Sequence, residues 1–173
     1  LKKDYSLAQK LFREAARRAS ETTAENALFN ENLAALNAND ASGAAALIKE
    51  AAGSSRLRES ILFEQAHYAA KRMAPQAAEL LANFITLAET PALKTQARLD
   101  QVEVALNLNP PDLETVQAIL PLLEKEQLSP EQTMQLARLN ILEAESRQEW
   151  PNAIQSCRRA IALDSEGKQA DMI

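Results

Sequence analysis

This sequence is poor in the residues that build compact chemical sites. It has one cysteine, one histidine, one tryptophan and three glycines in 173 residues, and aromatics make up 4%. A single cysteine excludes an internal disulfide. His67 stands alone, and without a Cys, Asp or Glu cluster at ligand spacing it does not make a zinc site. Three glycines supply neither GxxxxGK[ST] nor GxGxxG, which removes the common phosphate-cradling loops. No Ser/His/Asp or Cys/His arrangement is legible. Glu143, Glu145 and Glu149 are the nearest thing to an acid/base set, and carboxylates on one exposed helix are ordinarily solubilising. No catalytic residue, cofactor site or metal site is expected, and the chain is not read as an enzyme.

Long apolar runs are also missing. No stretch approaches the roughly 20 apolar residues of a membrane-spanning helix, so no membrane insertion is expected. Alternating Val/Ile/Thr runs are absent as well, and no strand is expected. The net charge is −5, unevenly spread: residues 1–72 hold eleven Lys/Arg against nine Asp/Glu, and residues 73–173 hold eight against fifteen. The acidic second part disfavours nucleic acid as a partner. The basic cluster Lys2, Lys3, Lys10, Arg13, Arg17 and Arg18 reads as a solvated helix face.

Ala, Leu, Glu and Gln dominate, and they are strong helix formers. Start and stop signals divide the chain into helices. Thr22 and Glu25 have the spacing of a capping box, and Asp40 is a candidate N-cap. Gly53 is a candidate terminator. Pro75 marks a start, Thr90-Pro91 pairs an N-cap with a first-turn proline, and Ser129-Pro130-Glu131-Gln132 combines N-cap, proline and capping-box glutamine. Pro121 predicts a kink or an early end.

One pattern organises these helices. Trp150, Ala153, Cys157 and Ala160 fall at offsets 0, 3, 7 and 10, with Ile154, Ile161 and Leu163 expected on the same side and Cys157 expected in the core. Tyr5/Ala8/Phe12/Ala15, Ala41/Ala44/Ile48/Ala51, Ala74/Ala77/Leu81/Phe84 and Leu113/Val116/Leu120/Leu123 repeat it. The second position recurs at 8, 44, 77, 116 and 153, with spacings of 36, 33, 39 and 37 residues. The spacing of 3, 4 and 3 puts a narrow stripe on one helix face, suited to packing against a neighbour.

The unit resembles the second helix of a tetratricopeptide (TPR) repeat, whose period is about 34 residues. The repeats are degenerate: the family's Leu-Gly slots hold Asn140 and Ile141, and Ser165 stands where a proline is usual. The resemblance implies an all-α, right-handed α-α superhelix, a TPR-like solenoid of about nine antiparallel helices in one domain over residues 1–173. A half repeat at 1–20 would be followed by repeats at about 22–53, 55–88, 91–126 and 129–165. Opening on Leu1 in mid-pattern, the chain is expected to be a piece of a longer, bacterial-looking protein or a processed chain.

The resemblance further implies a protein–protein interaction scaffold or adaptor that takes a peptide or protein segment on a concave face lined by the first helices. The candidate protein-binding residues there are Glu31, Phe63, His67, Lys71, Gln135, Arg138 and Glu145, with Phe63 either the apolar anchor or, together with Tyr68, part of the core. A carboxylate-gripping subtype is set aside, because Asn26, Asn30, Lys71 and Arg138 do not line up as its clamp. Asn26, Asn30 and Asn37 share a helix face available to a ligand backbone. The other functions weighed are a secretion or assembly chaperone and a ligand-sensing regulatory domain. Self-association through the exposed N-terminal helix, around Tyr5, Ala8 and Phe12, is a further expectation.

Overall fold

The computed structural model describes residues 4–163, the last by its backbone alone. Among them are nine α-helices and no strand: α1 (Tyr5–Arg18), α2 (Glu21–Ala38), α3 (Ala41–Glu50), α4 (Ser55–Lys71), α5 (Ala77–Leu87), α6 (Pro91–Leu106), α7 (Leu113–Leu123), α8 (Pro130–Ser146) and α9 (Trp150–Leu163). A 3₁₀ turn at Ala51–Gly53 follows α3. The chain divides into two compact units, Leu1–Arg72 and Met73–Ile173.

In the first unit α2 is central, packing on α1, α3 and α4, while α3 also packs on α4. Leu47, Ala51, Leu57 and Ile61 form its buried core, with Leu28, Phe29 and Ile48 half-buried against it. In the second unit α6 packs on α5, α7 and α8, and α8 packs on α7 and α9. Its core joins Leu99, Val102, Ala105 and Leu106 of α6 to Val116, Leu120 and Leu123 of α7 and Leu136 and Leu139 of α8. Each Leu or Val taken out of water there contributes roughly 1.5–3 kcal/mol, and this burial holds the 11-residue α7, which would be marginal alone.

The repeated motif is the inner face of its helices. Positions 3 and 10 are buried in α3 and the turn that follows it (Ala44, Ala51), α5 (Ala77, Phe84), α7 (Val116, Leu123) and α9 (Ala153, Ala160). Position 7 is buried as Leu81 and Leu120 and half-buried as Ile48 and Cys157. Cys157 is therefore less enclosed than expected. Ile154 and Ile161 are 55% and 60% exposed. Each directly follows a buried alanine, and a helical step of 100° carries it off the packed face. The side chain of Leu163, like Ser165, lies outside the described residues. Helix α1 buries none of its residues fully: Tyr5, Ala8 and Phe12 are half-covered and Ala15 is exposed.

Several boundaries follow their signals. Asp40 caps α3 by accepting from the Gly43 N–H at 2.9 Å, Pro91 opens α6, and Ser129 and Gln132 form the capping box of α8. Others move. Helix α2 begins at Glu21 with Ser20 as N-cap, which puts Thr22 inside the helix and dissolves the Thr22/Glu25 box. Pro75 lies in the turn before α5, which starts at Ala77. Gly53 does not terminate α3 as a left-handed cap; it ends the 3₁₀ turn that finishes the helix. Pro121 is carried inside α7, which stops two residues later at Leu123.

Candidate binding face

The helices expected from the sequence to be first helices are α2 and α4 in one unit and α6 and α8 in the other, and in each unit the two lie side by side. A polar seam joins each pair. Between α2 and α4, Gln65 Nε2 donates to Asn32 Oδ1 at 3.0 Å and to the Ala44 carbonyl of α3 at 2.8 Å. Asn32 is fully buried, and its Nδ2 has no protein partner.

Between α6 and α8, Gln96 Nε2 donates to Gln135 Oε1 at 2.9 Å and to Asp100 Oδ1 at 3.2 Å. Gln132 Nε2 donates to Gln96 Oε1 at 3.4 Å, and Gln135 Nε2 to Glu103 Oε2 at 3.4 Å. Asp100 is 1% exposed, so this seam reaches the interior. At its edge Glu126 takes the Arg98 guanidinium and the Thr95 hydroxyl. Buried polar groups persist only when bonded, so such seams fix the register of the helices they join.

The seven candidate residues separate. Glu31 is 5% exposed, and its Oε1 pairs with Arg13 at 2.8 Å. Arg13 reaches Glu50 of α3 as well, so one guanidinium spans carboxylates on two helices. Burial is the main cause that pushes the Glu31 carboxyl above its ordinary value, with Arg13 opposing. The hydrogen bond to Glu50 is the main cause that raises Arg13.

Phe63 is 8% exposed and stacks on the half-buried His67, with ring centroids 5.4 Å apart and planes at 19°. The proposed anchor is thus largely enclosed by its own unit. Gln135 is half-buried and bound into the seam. Lys71, Arg138 and Glu145 are exposed. The structure brings Phe63 and His67 together; it commits Glu31 and Gln135 to internal partners.

The asparagine face is also engaged. Asn30 Nδ2 donates to the Asn26 carbonyl at 2.9 Å and Asn37 Nδ2 to the Leu33 carbonyl at 2.8 Å, one turn back on their own helix. The basic cluster is partly neutralised, since Arg13 is paired and Arg18 pairs with Glu14. Lys2 and Lys3 lie outside the described residues. Glu143 pairs with Arg147, and Glu149 accepts from Asn152 Nδ2 at 2.6 Å, so these two carboxylates each have their own partner. Tyr68 lies under the Arg72 guanidinium, 4.7 Å from its ring centre.

The seams themselves were missed by sequence reasoning, apart from Gln135. A signal exists. Asn32 and Gln65 are 33 residues apart, and Gln96 and Gln132 are 36 apart, both close to the repeat period. No helix among the described residues is long and apolar enough to cross a membrane. No family model, curated protein or solved structure matches this chain. What is shown is the class: an all-α chain of short helices in two compact units.

Proposed function

We propose that this chain is a protein-interaction module built from degenerate TPR-like repeats, its helices arranged as a right-handed α-α superhelix. Its partner is a peptide or protein segment received by the first-helix face. The observation that supports this reading most is the motif itself. In four of its five occurrences positions 3 and 10 are buried, at a spacing close to one repeat, and first helices are paired within each unit. A solenoid of helix pairs has that property, because each second helix is covered by its neighbours while one side of the first helices stays open.

Lys71 in the first unit and Arg138 and Glu145 in the second are the exposed ones among the seven candidate residues, and they are the candidates for direct contact. The test is affinity capture from lysate with the wild-type chain and with K71A/R138A/E145A, all three surface positions. A specific protein lost by the triple variant supports the reading. Equal recovery by both would move the site off this face, and no recovery by either would leave the module reading without its partner.

A further inference from the structure

Seven of the eight helix junctions among the described residues carry a helix breaker. Asn39, Met73 and Gln148 have φ of 58°, 49° and 60° at the ends of α2, α4 and α8. Gly53 lies between α3 and α4, and Pro91, Pro110, Pro111 and Pro130 mark the α5–α6, α6–α7 and α7–α8 junctions. The α1–α2 junction, Ala19-Ser20, has no glycine, no proline and no positive φ. Its N-cap Ser20 makes no side-chain capping bond. The sequence through it, Arg17-Arg18-Ala19-Ser20-Glu21, is acceptable helix throughout. Phe12, Ala16, Ala19, Thr23 and Ala27 continue one stripe at steps of three and four across the turn.

Helix α1 is also the helix held least by apolar burial, since none of its residues is fully buried. Its specific ties are polar: Gln9 Nε2 to Asp40 Oδ2 at 3.0 Å, and Arg13 to Glu31 and Glu50.

We propose that α1 exchanges between two copies of this chain. In the exchanged dimer α1 and α2 run on as one helix, and α1 of each copy occupies the seat on α2 and α3 of the other. The seat is already shaped and charged for this occupant, because the same Arg13 and Gln9 contacts re-form between copies. Only the junction changes, and straightening it adds helical hydrogen bonds where a turn now stands. Exchange of an identical element is a low-cost route to a dimer for that reason. The inference is independent of the binding role proposed above.

Light scattering coupled to size exclusion, after refolding at low and at high protein concentration, tests it on the full chain. Ser20→Pro suits the hairpin: residue 20 has φ −69° and Ala19 is extended, as a residue before proline must be. Inside a continuous helix the same proline is strongly disfavoured, so S20P should weaken dimerisation by about a hundredfold or more. Ser20→Ala should strengthen it.

A second arm does not depend on S20P folding. Arg13→Glu and Glu50→Arg each place like charges across the clasp, and mixing the two variants restores opposite charges only if α1 crosses between copies. Heterodimer on mixing, with S20P monomeric, supports exchange. A wild type that stays monomeric at every concentration overturns it. So does a dimer that folded S20P retains, or a mixture of R13E and E50R that yields no heterodimer.

Discussion

Gln65 binds the fully buried Asn32 through one amide hydrogen and the Ala44 carbonyl through the other, so a single α4 side chain ties α2, α3 and α4 together. Asn32 spends a buried position on an amide whose Nδ2 has no protein partner. What holds it there is the bond to Gln65.

Asn32→Ala should therefore destabilise the chain by about 1–3 kcal/mol, the range for truncating a buried, bonded polar group. Gln65→Ala should cost less, since Gln65 is only half-buried. In a denaturant-melt double-mutant cycle the pair should couple by about 0.5 kcal/mol or more. Additive effects would mean that the hydrogen bond does not hold the helices in register.

The carboxylates give the pH dependence two opposite signs. Burial raises Glu31 above the value it has in the unfolded chain. The folded state thus holds its proton more tightly, and Glu31's contribution to stability is largest below about pH 4.5 and falls as pH rises through the folded-state value. Asp112 behaves the other way. The Thr115 hydroxyl and then the Thr115 N–H bond its carboxylate and lower it from 3.8. Its contribution is full above pH 3.8 and is lost as pH falls through the lowered value. Melts across pH 2–8, a range set by these values, should show Glu31→Gln removing the decline above pH 4.5 and Asp112→Asn removing part of the acid loss. Arg13→Ala at pH 7 should cost about 1–3 kcal/mol, below the usual figure for breaking a buried pair because Arg13 is 30% exposed.

The second unit separates packed from exposed leucines. Leu139 is 1% exposed in the α6–α7–α8 core, while Leu122 of α7 is 47% exposed. Leu139→Ala should cost about 2–5 kcal/mol and Leu122→Ala within about 0.5 kcal/mol. Calorimetry on the two variants checks this. Equal losses would mean that Leu122 is covered in solution by something the isolated chain does not show.

Much of the architecture was legible because helix signals are local. Asp40, Pro91 and the Ser129/Gln132 box each mark a boundary by chemistry within one turn, and the 3-4-3 spacing of Val116, Leu120 and Leu123 is a buried face wherever it occurs. Two kinds of feature were not legible. The start of α2 was misplaced because Ser20 and Thr22 are both acceptable caps, and packing of α2 on α1 decides between them. The burial of Glu31 was missed because spacing along one helix does not say which neighbour covers it. Arg13 lies 18 residues from Glu31. The amide seams required pairing positions one repeat apart, a relation that only packed helices reveal.

The two described glycines respond oppositely to the same change. An added Cβ at Gly53 meets nothing within 4 Å, and its φ is not left-handed, so Gly53→Ala should gain about 0.4–1 kcal/mol by restricting the unfolded chain. A Cβ at Gly43 lies 2.2 Å from Asp40 Oδ2, inside the space of the carboxylate that caps α3. That carboxylate also accepts from Gln9 of α1. Gly43→Ala therefore has to move Asp40, and it gives up the cap and a tie to α1 for the helix propensity it gains. In paired thermal melts G53A should raise Tm and G43A should leave it unchanged or lower it. Asp40→Ala in the G43A background should then cost less than Asp40→Ala alone, because the cap has already been displaced. An increase in Tm for G43A equal to that of G53A would show that the cap contributes nothing to α3.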